Sequence, residues 1–227
     1  MKKIKEKEFW RKIFQRKEWY DEVNKTKVRF EVIEKYVKGP LVLDFGCGTG
    51  FFIKKLIEKG LNVIGIDFYT PKINGAKFIK IKDVKDLKKI DLKEKFDTII
   101  ASEVLEHLTN YEINKVMKFF YKWLKDDGVL IVTVPYRENL KKSKILCPYC
   151  LKWFHPWLHK KSFDEKELQK LLAKYGFKID RIIYITFGYL FNMPGVFRLI
   201  LNLILSSFLK KKSIVWFLVL SSKLPYF

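Results

Sequence analysis

Gly46, Gly48 and Gly50 alternate directly behind the apolar run Leu41-Val42-Leu43. Glycine lets backbone approach a ligand closely, and a helix that follows offers free N–H groups. A strand, a glycine turn and a helix in that order form a cradle for an anion or a nucleotide. Asp44 stands two residues before the first glycine. A carboxylate there repels a pyrophosphate and suits a ligand with a cationic amino group. The dinucleotide fingerprint G-x-G-x-x-G is not completed, because Phe51 occupies the place of its third glycine. No Gly-Lys-Ser/Thr follows, so this is not a phosphate P-loop.

A second group gathers two of the three cysteines and two of the three histidines: Cys147, Cys150, His155 and His159, spaced C-x2-C-x4-H-x3-H. A Cys-Pro-x-Cys turn points two thiolates at one ion, and histidines four apart do the same from one helical turn. Four such ligands without a carboxylate describe a closed, tetrahedral, structural zinc site. The gap is far shorter than the roughly 12 residues between the pairs of a DNA-reading finger. A redox CxxC beside unrelated histidines is the competing reading. The third candidate is His107, four residues after Glu103 and on the same face of any helix there. An imidazole so placed is a general base toward a phenol, hydroxyl or amine. Alternatively Glu106-His107 only orders its loop, and Glu103 with Glu106 would equally steer an amine.

These residues sit on a regular alternation of elements. "LVLDFG" reads as a buried strand, "FFIKKLIEKG" as a helix, and "NVIGIDF" as a second strand ending in Asp67. "AKFIKIKDV" and "KFDTIIASEV" follow as strands, then the helix "NKVMKFFYKWLKDDG" ending at Gly128, and the strand "VLIVTVPY". The helix "DEKELQKLLAKYG" and the strand "FKIDRIIYITF" complete the core, with Ile214 to Leu220 as a last antiparallel strand beside Ile182 to Phe187. Such alternation predicts an α/β fold, a parallel sheet with helices on both faces. Residues 1–38 read as helical, including a helix from Lys27 to Val37 closed by Gly39-Pro40, and residues 39–227 as one domain.

"DFGCGTG" closely resembles motif I of the class I S-adenosylmethionine-dependent methyltransferases, and later positions agree in order and spacing. The likeness is close over Leu41 to Val134 and looser to Phe187. It implies a Rossmann-like, doubly wound, mostly parallel sheet with a final antiparallel strand. It implies that Asp44, Gly46, Cys47, Gly48 and Gly50 surround S-adenosylmethionine, and that Asp67 and the adjacent Phe68 meet its ribose side. Asp83 and the Val84 backbone would meet the adenine, with Ser102 and Glu103 at the methionine end. The segment 144–162 resembles a Cys-Pro-x-Cys…Phe-His…His insertion of some superfamily members, although Leu151 and Leu158 stand where glycines are expected. It follows the fifth strand, so Trp153, Phe154 and Trp157 either line an acceptor pocket or pack under the metal loop. A nicotinamide oxidoreductase on a similar sheet, and a non-catalytic cofactor- or nucleic-acid-binding module, are the alternative readings.

Composition sets the remaining bounds. The 227 residues are 48% hydrophobic and 31% charged, which excludes a disordered or many-spanning chain. The net charge of +21 suits nucleic acid, anionic lipid or merely a solvated lysine-rich surface. The lysines are dispersed rather than gathered into a phosphate track, which speaks against nucleic acid. "MKKIKEKEFWRKIF" reaches no apolar run, so a cytoplasmic protein is expected. An apolar insertion over 188–212 contains Val196 to Leu209, where Arg198, Asn202, Ser206 and Lys210 form one polar stripe. That run is shorter than the roughly 20 residues a bilayer needs. It fits a core helix, a subunit contact or a membrane-interface helix backed by Lys210, Lys211 and Lys212. With Tyr189 and Phe191 it favours a small or lipid-like acceptor, and 196–212 is the candidate for peripheral membrane contact.

Overall fold

The computed structural model describes residues 6–15, 20–186 and 215–224. The N-terminal part holds α1 (Glu6–Phe14) and α2 (Tyr20–Ile33), the latter closed by a 3-10 turn at Glu34–Tyr36. The alternating core follows: β1 (Leu41–Phe45), α3 (Phe51–Ile57), β2 (Asn62–Asp67), β3 (Lys77–Lys80), β4 (Phe96–Ser102), α4 (Asn110–Trp123) and β5 (Leu124–Pro135). A small hairpin, β6 (Ile145–Leu146) and β7 (Trp153–Phe154), precedes α5 (Glu165–Lys174), β8 (Phe177–Thr186) and β9 (Val215–Lys223).

Seven strands form one sheet in the order β3-β2-β1-β4-β5-β9-β8. β9 runs antiparallel to both β5 and β8, and every other pairing is parallel. The expected doubly wound sheet with a late antiparallel strand is therefore present. Its two faces are covered separately, as the pleat requires of a sheet buried on both sides. Leu43, Ile99, Leu130 and Val219 pack with Ile113, Met117, Phe120 and Leu168 on one face. Their strand neighbours Val42, Ile100, Ile131 and Leu220 pack with Phe30, Ile33, Ile53 and Leu56 on the other.

Some boundaries differ from the sequence expectation. α4 stops at Trp123 rather than Gly128, because Leu124 is buried and already pairs with Phe96 in the sheet. The Lys125-Asp126-Asp127 stretch offers no apolar side chain to hold another helical turn on the core. β3 ends at Lys80, and Asp83 instead caps a 3-10 turn, Val84–Lys89. α2 begins at Tyr20, earlier than the expected Lys27. Tyr189, Phe191, the Val196–Leu209 helix and Lys210 to Lys212 lie outside the described residues, so the 188–212 insertion does too. Among the described residues, no helix is long and apolar enough to cross a membrane.

Candidate functional site

The parallel register brings the carboxyl ends of β3, β2, β1 and β4 to one edge. Asp44 pairs with Gly65 on one side and Ile100 on the other, so Asp67 and Ser102 end the adjacent strands beside it. The chain reverses its winding direction between β1 and β4, where open α/β sheets bind ligands. The loop after β1 needs its glycines. Gly46 and Gly50 adopt φ of 77° and 75°. A Cβ on them would stand 2.4 Å from Val104 Cγ2 and from Ile73 Cδ1 respectively.

Two carboxylates frame this loop. Asp44 is buried, and that burial pushes its carboxyl up to about 8, with repulsion from Asp67 adding to it. Asp67 is likewise raised, chiefly by burial, although its Oδ2 accepts the Gly48 N–H at 2.8 Å and its Oδ1 accepts the Tyr69 N–H at 3.0 Å. The Phe68 N–H is also directed at this carboxylate, which leaves one acceptor position for a ligand. Cys47 lies buried under the loop, and desolvation raises its thiol so far that it is no nucleophile. Phe68 is partly buried against the larger core cluster. Asp83 Oδ1 accepts the Lys85 N–H at 3.0 Å, so this carboxylate is partly spent on capping, and Val84 is buried. Ser102 Oγ lies 2.9 Å from Thr133 Oγ1, which donates to Glu103 Oε1 at 2.9 Å. Glu103 itself is turned by a φ of 57°.

Beyond Glu103 the chain makes a short 3-10 turn, Leu105–His107. Glu106 is fully buried, and neither of its oxygens has a hydrogen-bond partner; nor has Nδ1 of His107. Burial, then the nearby Glu103, drives the Glu106 carboxyl well above the usual range, against a weaker opposite pull from Arg29. Burial also presses His107 down to about 3, with His159 and Lys160 contributing. An imidazole held so low stays neutral and is a poor proton acceptor. The insertion folds back onto this turn, where Lys160 and Lys161 both donate backbone N–H groups to the Glu106 carbonyl, at 2.7 and 3.1 Å.

The four expected zinc ligands do not converge. Among the described residues, the clusters of three or more ligand atoms are Glu106, His107 and His159, and Glu138, His155 and His159. Neither contains a cysteine. Cys147 and Cys150 stay at the hairpin turn, where backbone N–H groups of Cys150 and Tyr149 lower the Cys147 thiol. His155 is committed elsewhere: its Nδ1 accepts the N–H groups of Trp157 and His159, and its Nε2 meets Glu138. The turn geometry itself survives the missing glycines, because Leu151 and Leu158 adopt φ of 52° and 58°. Trp153 points outward and is exposed, whereas Phe154 and Trp157 are half-buried.

Three contributors escaped the sequence reading. Glu138 follows β5 with no motif spacing to mark it; only its place beyond a strand's carboxyl end hinted at a role. Trp10 and Phe14 of α1 lie over the site. Trp10 stacks edge-on against His107 at 5.0 Å, and Phe14 stands 6.1 Å from Tyr69 and against the Gly48 backbone. Their i,i+4 spacing puts both on one helix face, and nothing in the spacing names what that face covers.

Comparison with known proteins agrees with this geometry. A family profile described as a methyltransferase domain matches residues 10–182. The chain is 28% identical over 176 residues to the mitochondrial ubiquinone biosynthesis O-methyltransferase of Bos taurus, covering 70% of this chain and 45% of that protein. It is 30% identical over 147 residues to the ubiquinone biosynthesis O-methyltransferase of Bradyrhizobium diazoefficiens, covering 59% of this chain and 56% of that one. The chain thus spans about half the length of these curated relatives. Among solved structures, it superposes with a TM-score of 0.63 on the 1,6-didemethyltoxoflavin-N1-methyltransferase of Burkholderia thailandensis, at 17% identity, covering 91% of this chain and 81% of the other. A methyltransferase from Archaeoglobus fulgidus described as SAM dependent gives the same TM-score at 20% identity, covering 87% and 93%. At these identities the structures bear on the fold alone.

Proposed function

The chain belongs to the methyltransferase-domain family of the class I superfamily, and on that premise we propose that it transfers a methyl group from S-adenosylmethionine to a small or lipid-like acceptor. The observation that carries the reading is the pair of carboxylates, buried Asp44 and half-buried Asp67, framing a glycine loop that has no room for side chains. Such a loop suits a nucleoside with a cationic amino group, and it disfavours the pyrophosphate of a nicotinamide cofactor. Gly46, Gly48 and Gly50 supply close backbone, with Cys47 as the floor. Asp67 takes the ribose hydroxyls, and Asp44 faces the amino group. Asp83, Val84 and Phe68 border the base and ribose, and Ser102 borders the methionine end. When bound, this cofactor supplies a methyl group already activated by a positive sulfur.

The chain's own tasks are alignment, exclusion of water and proton removal. Thr133 fixes Ser102 and Glu103 together, which orients the Glu103 carboxylate at the strand end. We assign removal of the acceptor's proton to Glu103. His107, expected as the base, is too weakly basic in its buried setting and acts as a neutral positioning group. Trp10 and Phe14 close the site from above and keep water out. The curated relatives are named as O-methyltransferases of ubiquinone biosynthesis, which favours an oxygen acceptor. The outward Tyr149, Leu151 and Trp153 support peripheral membrane contact by a cytoplasmic protein, alongside the 196–212 segment.

Calorimetry with S-adenosylmethionine and with NAD tests the reading. S-adenosylmethionine should bind, and Asp67→Ala should weaken it about tenfold or more, the scale of a lost charged hydrogen bond. Binding of NAD alone would overturn it. Flotation with anionic vesicles at low salt tests the membrane contact.

A further inference from the structure

The two thiols of the β6–β7 hairpin take no part in the site described above. Leu146 pairs with Trp153, and the chain turns between them through Cys147-Pro148-Tyr149-Cys150. The Cys147 N–H donates to the Lys152 carbonyl at 3.0 Å, and the Leu151 N–H donates to the Cys147 carbonyl at 2.9 Å. Leu151 closes the turn at a φ of 52°, a backbone that costs a leucine strain. Strain of this kind persists where the surroundings hold it, and it gathers at functional turns. The turn so held aims the N–H groups of Cys150 and Tyr149, and the Cys150 thiol, at the Cys147 sulfur. Those donors favour the thiolate, which is the reactive form of a cysteine. Cys147 is half-buried and Cys150 is exposed, so both are within reach of a reagent from solvent.

Such a pair serves either as metal ligands or in disulfide exchange. The fold parts the thiols from the histidines that would complete a ligand set. His155 and His159 both pair with Glu138, and among the described residues no group of three or more ligand atoms includes a cysteine. Nor is the pair placed to brace the fold, because a bridge from Cys147 to Cys150 closes a loop of only four residues and removes little entropy from the unfolded chain. The donors on Cys147 stabilise its reduced form, which makes a bridge there easy to reduce again. The hairpin also selects by charge. Residues 139–154 hold Lys141, Lys142, Lys144 and Lys152 and no acid, a field that draws an anionic reagent.

We infer that Cys147 and Cys150 form a thiol–disulfide exchange site whose oxidant is the disulfide of an anionic low-molecular-weight thiol. The Cys147 thiolate, its proton given to water, attacks one sulfur of that disulfide. The S–S bond breaks, and the other sulfur leaves as a thiolate. Cys150 then loses its proton and attacks the Cys147 sulfur, which breaks the mixed disulfide and releases the second thiolate. The two leaving thiolates take up the two protons given off. The cysteine sulfurs together lose two electrons, and the sulfurs of the disulfide gain the same two. An excess of the reduced thiol runs the sequence backward. Cys47 stands outside the exchange, because it is buried under the glycine loop and desolvation pushes its thiol up. None of these steps depends on methyl transfer.

The test mixes the full chain, reduced and freed of reductant, with oxidised glutathione and reads the products by intact mass and peptide mapping. Two of its three thiols should disappear into a Cys147–Cys150 bridge with no glutathione retained, and reduced glutathione should restore both. Cys150→Ser should stop at a glutathione adduct on Cys147, because the resolving thiol is gone. Cys147→Ser should react at least about tenfold more slowly, because the thiol that the N–H groups activate is gone. The rate for the unaltered chain should fall as salt is raised, since lysines draw the anionic disulfide. No reaction, adducts on both cysteines without a bridge, or equal rates in the two single variants would each overturn the proposal. So would thiols that react only once a chelator is added, since they would then belong to a metal. A rate indifferent to salt would overturn the choice of an anionic oxidant.

Discussion

The glycine loop and the glutamate–histidine cluster lie side by side, yet they are built in opposite ways. Asp44 and the loop glycines alternate within one short stretch, Asp44 to Gly50, and Asp67 is brought in by the first strand pairing. The cluster draws Glu106 and His107 from a turn after β4, Glu138 from beyond β5, and His155 and His159 from an insertion. The loop's chemistry is a local property of backbone conformation. The cluster's chemistry is a property of which nitrogen holds a proton, and for His155 that is decided by the N–H groups of Trp157 and His159 and by Glu138 from another segment. A contiguous site tolerates almost no change in its backbone, whereas an assembled site depends on every tether that gathers it.

The sharpest way to break this contrast is Gly46→Val. The residue would need φ near 77° and a Cβ 2.4 Å from Val104 Cγ2. Strain alone costs on the order of 1–3 kcal/mol. Binding of S-adenosylmethionine should fall below detection by calorimetry, and normal affinity would show that this loop is not the cradle. The next effect is in pH. Asp44 is raised from 3.8 to about 8, so the cofactor-free fold is favoured by its protonation and loses that stability as pH rises across this window. A cationic amino group needs the ionised form. Cofactor affinity should therefore rise by up to about tenfold per pH unit from 6 to 8, with proton release measurable by calorimetry in two buffers. A flat profile would remove Asp44 from the site.

Smaller effects probe the tethers. Thr133→Val removes the hydroxyl that joins Ser102 to Glu103. It should cost about 1 kcal/mol of stability and lower kcat more than it changes the cofactor KM. Leu151 is 70% exposed with φ of 52°. Leu151→Gly should relieve its left-handed strain and stabilise the protein by about 0.5 kcal/mol, after the entropy of glycine is subtracted. Least of all, Cys147→Ser/Cys150→Ser should shift stability by no more than about 0.5 kcal/mol in urea titrations. A large loss there would give the cysteines a structural part in the cluster and undo the distinction between the two regions.

The fold was legible because its strands are apolar runs of proper length between turn residues, and β1 with its glycines could be placed from Leu41 to Gly50 directly. The loop acids were legible for the same reason, since Asp67 ends β2 and Asp44 stands one residue before the end of β1. The end of α4 was not, because "KWLKDD" continues a helical pattern while Leu124 is captured by the sheet. Asp83 read as part of a strand, but β3 ends at Lys80 and Asp83 caps the next 3-10 turn, because the Lys85 amide it accepts was hidden in an apparently continuous strand. The spacing of Cys147, Cys150, His155 and His159 suggested one site. It could not reveal that His155 accepts two backbone N–H groups, nor that His159 meets Glu138.

The place of β9 also dictates how the sheet assembles. β1 finds β2 within a short loop, Leu41 opposite Asn62, whereas β5 must wait for β9, with Leu130 opposite Ser221 at a sequence separation of 91. Closing so long a loop is slow compared with joining neighbours. The strands from β3 to β5 therefore form first, and β5 stands for a time as an unpaired edge of Leu130, Ile131 and Val132. Such an edge is a template for another chain's strand. Aggregation during refolding should accordingly begin at β5, and a peptide copying β9 should suppress it.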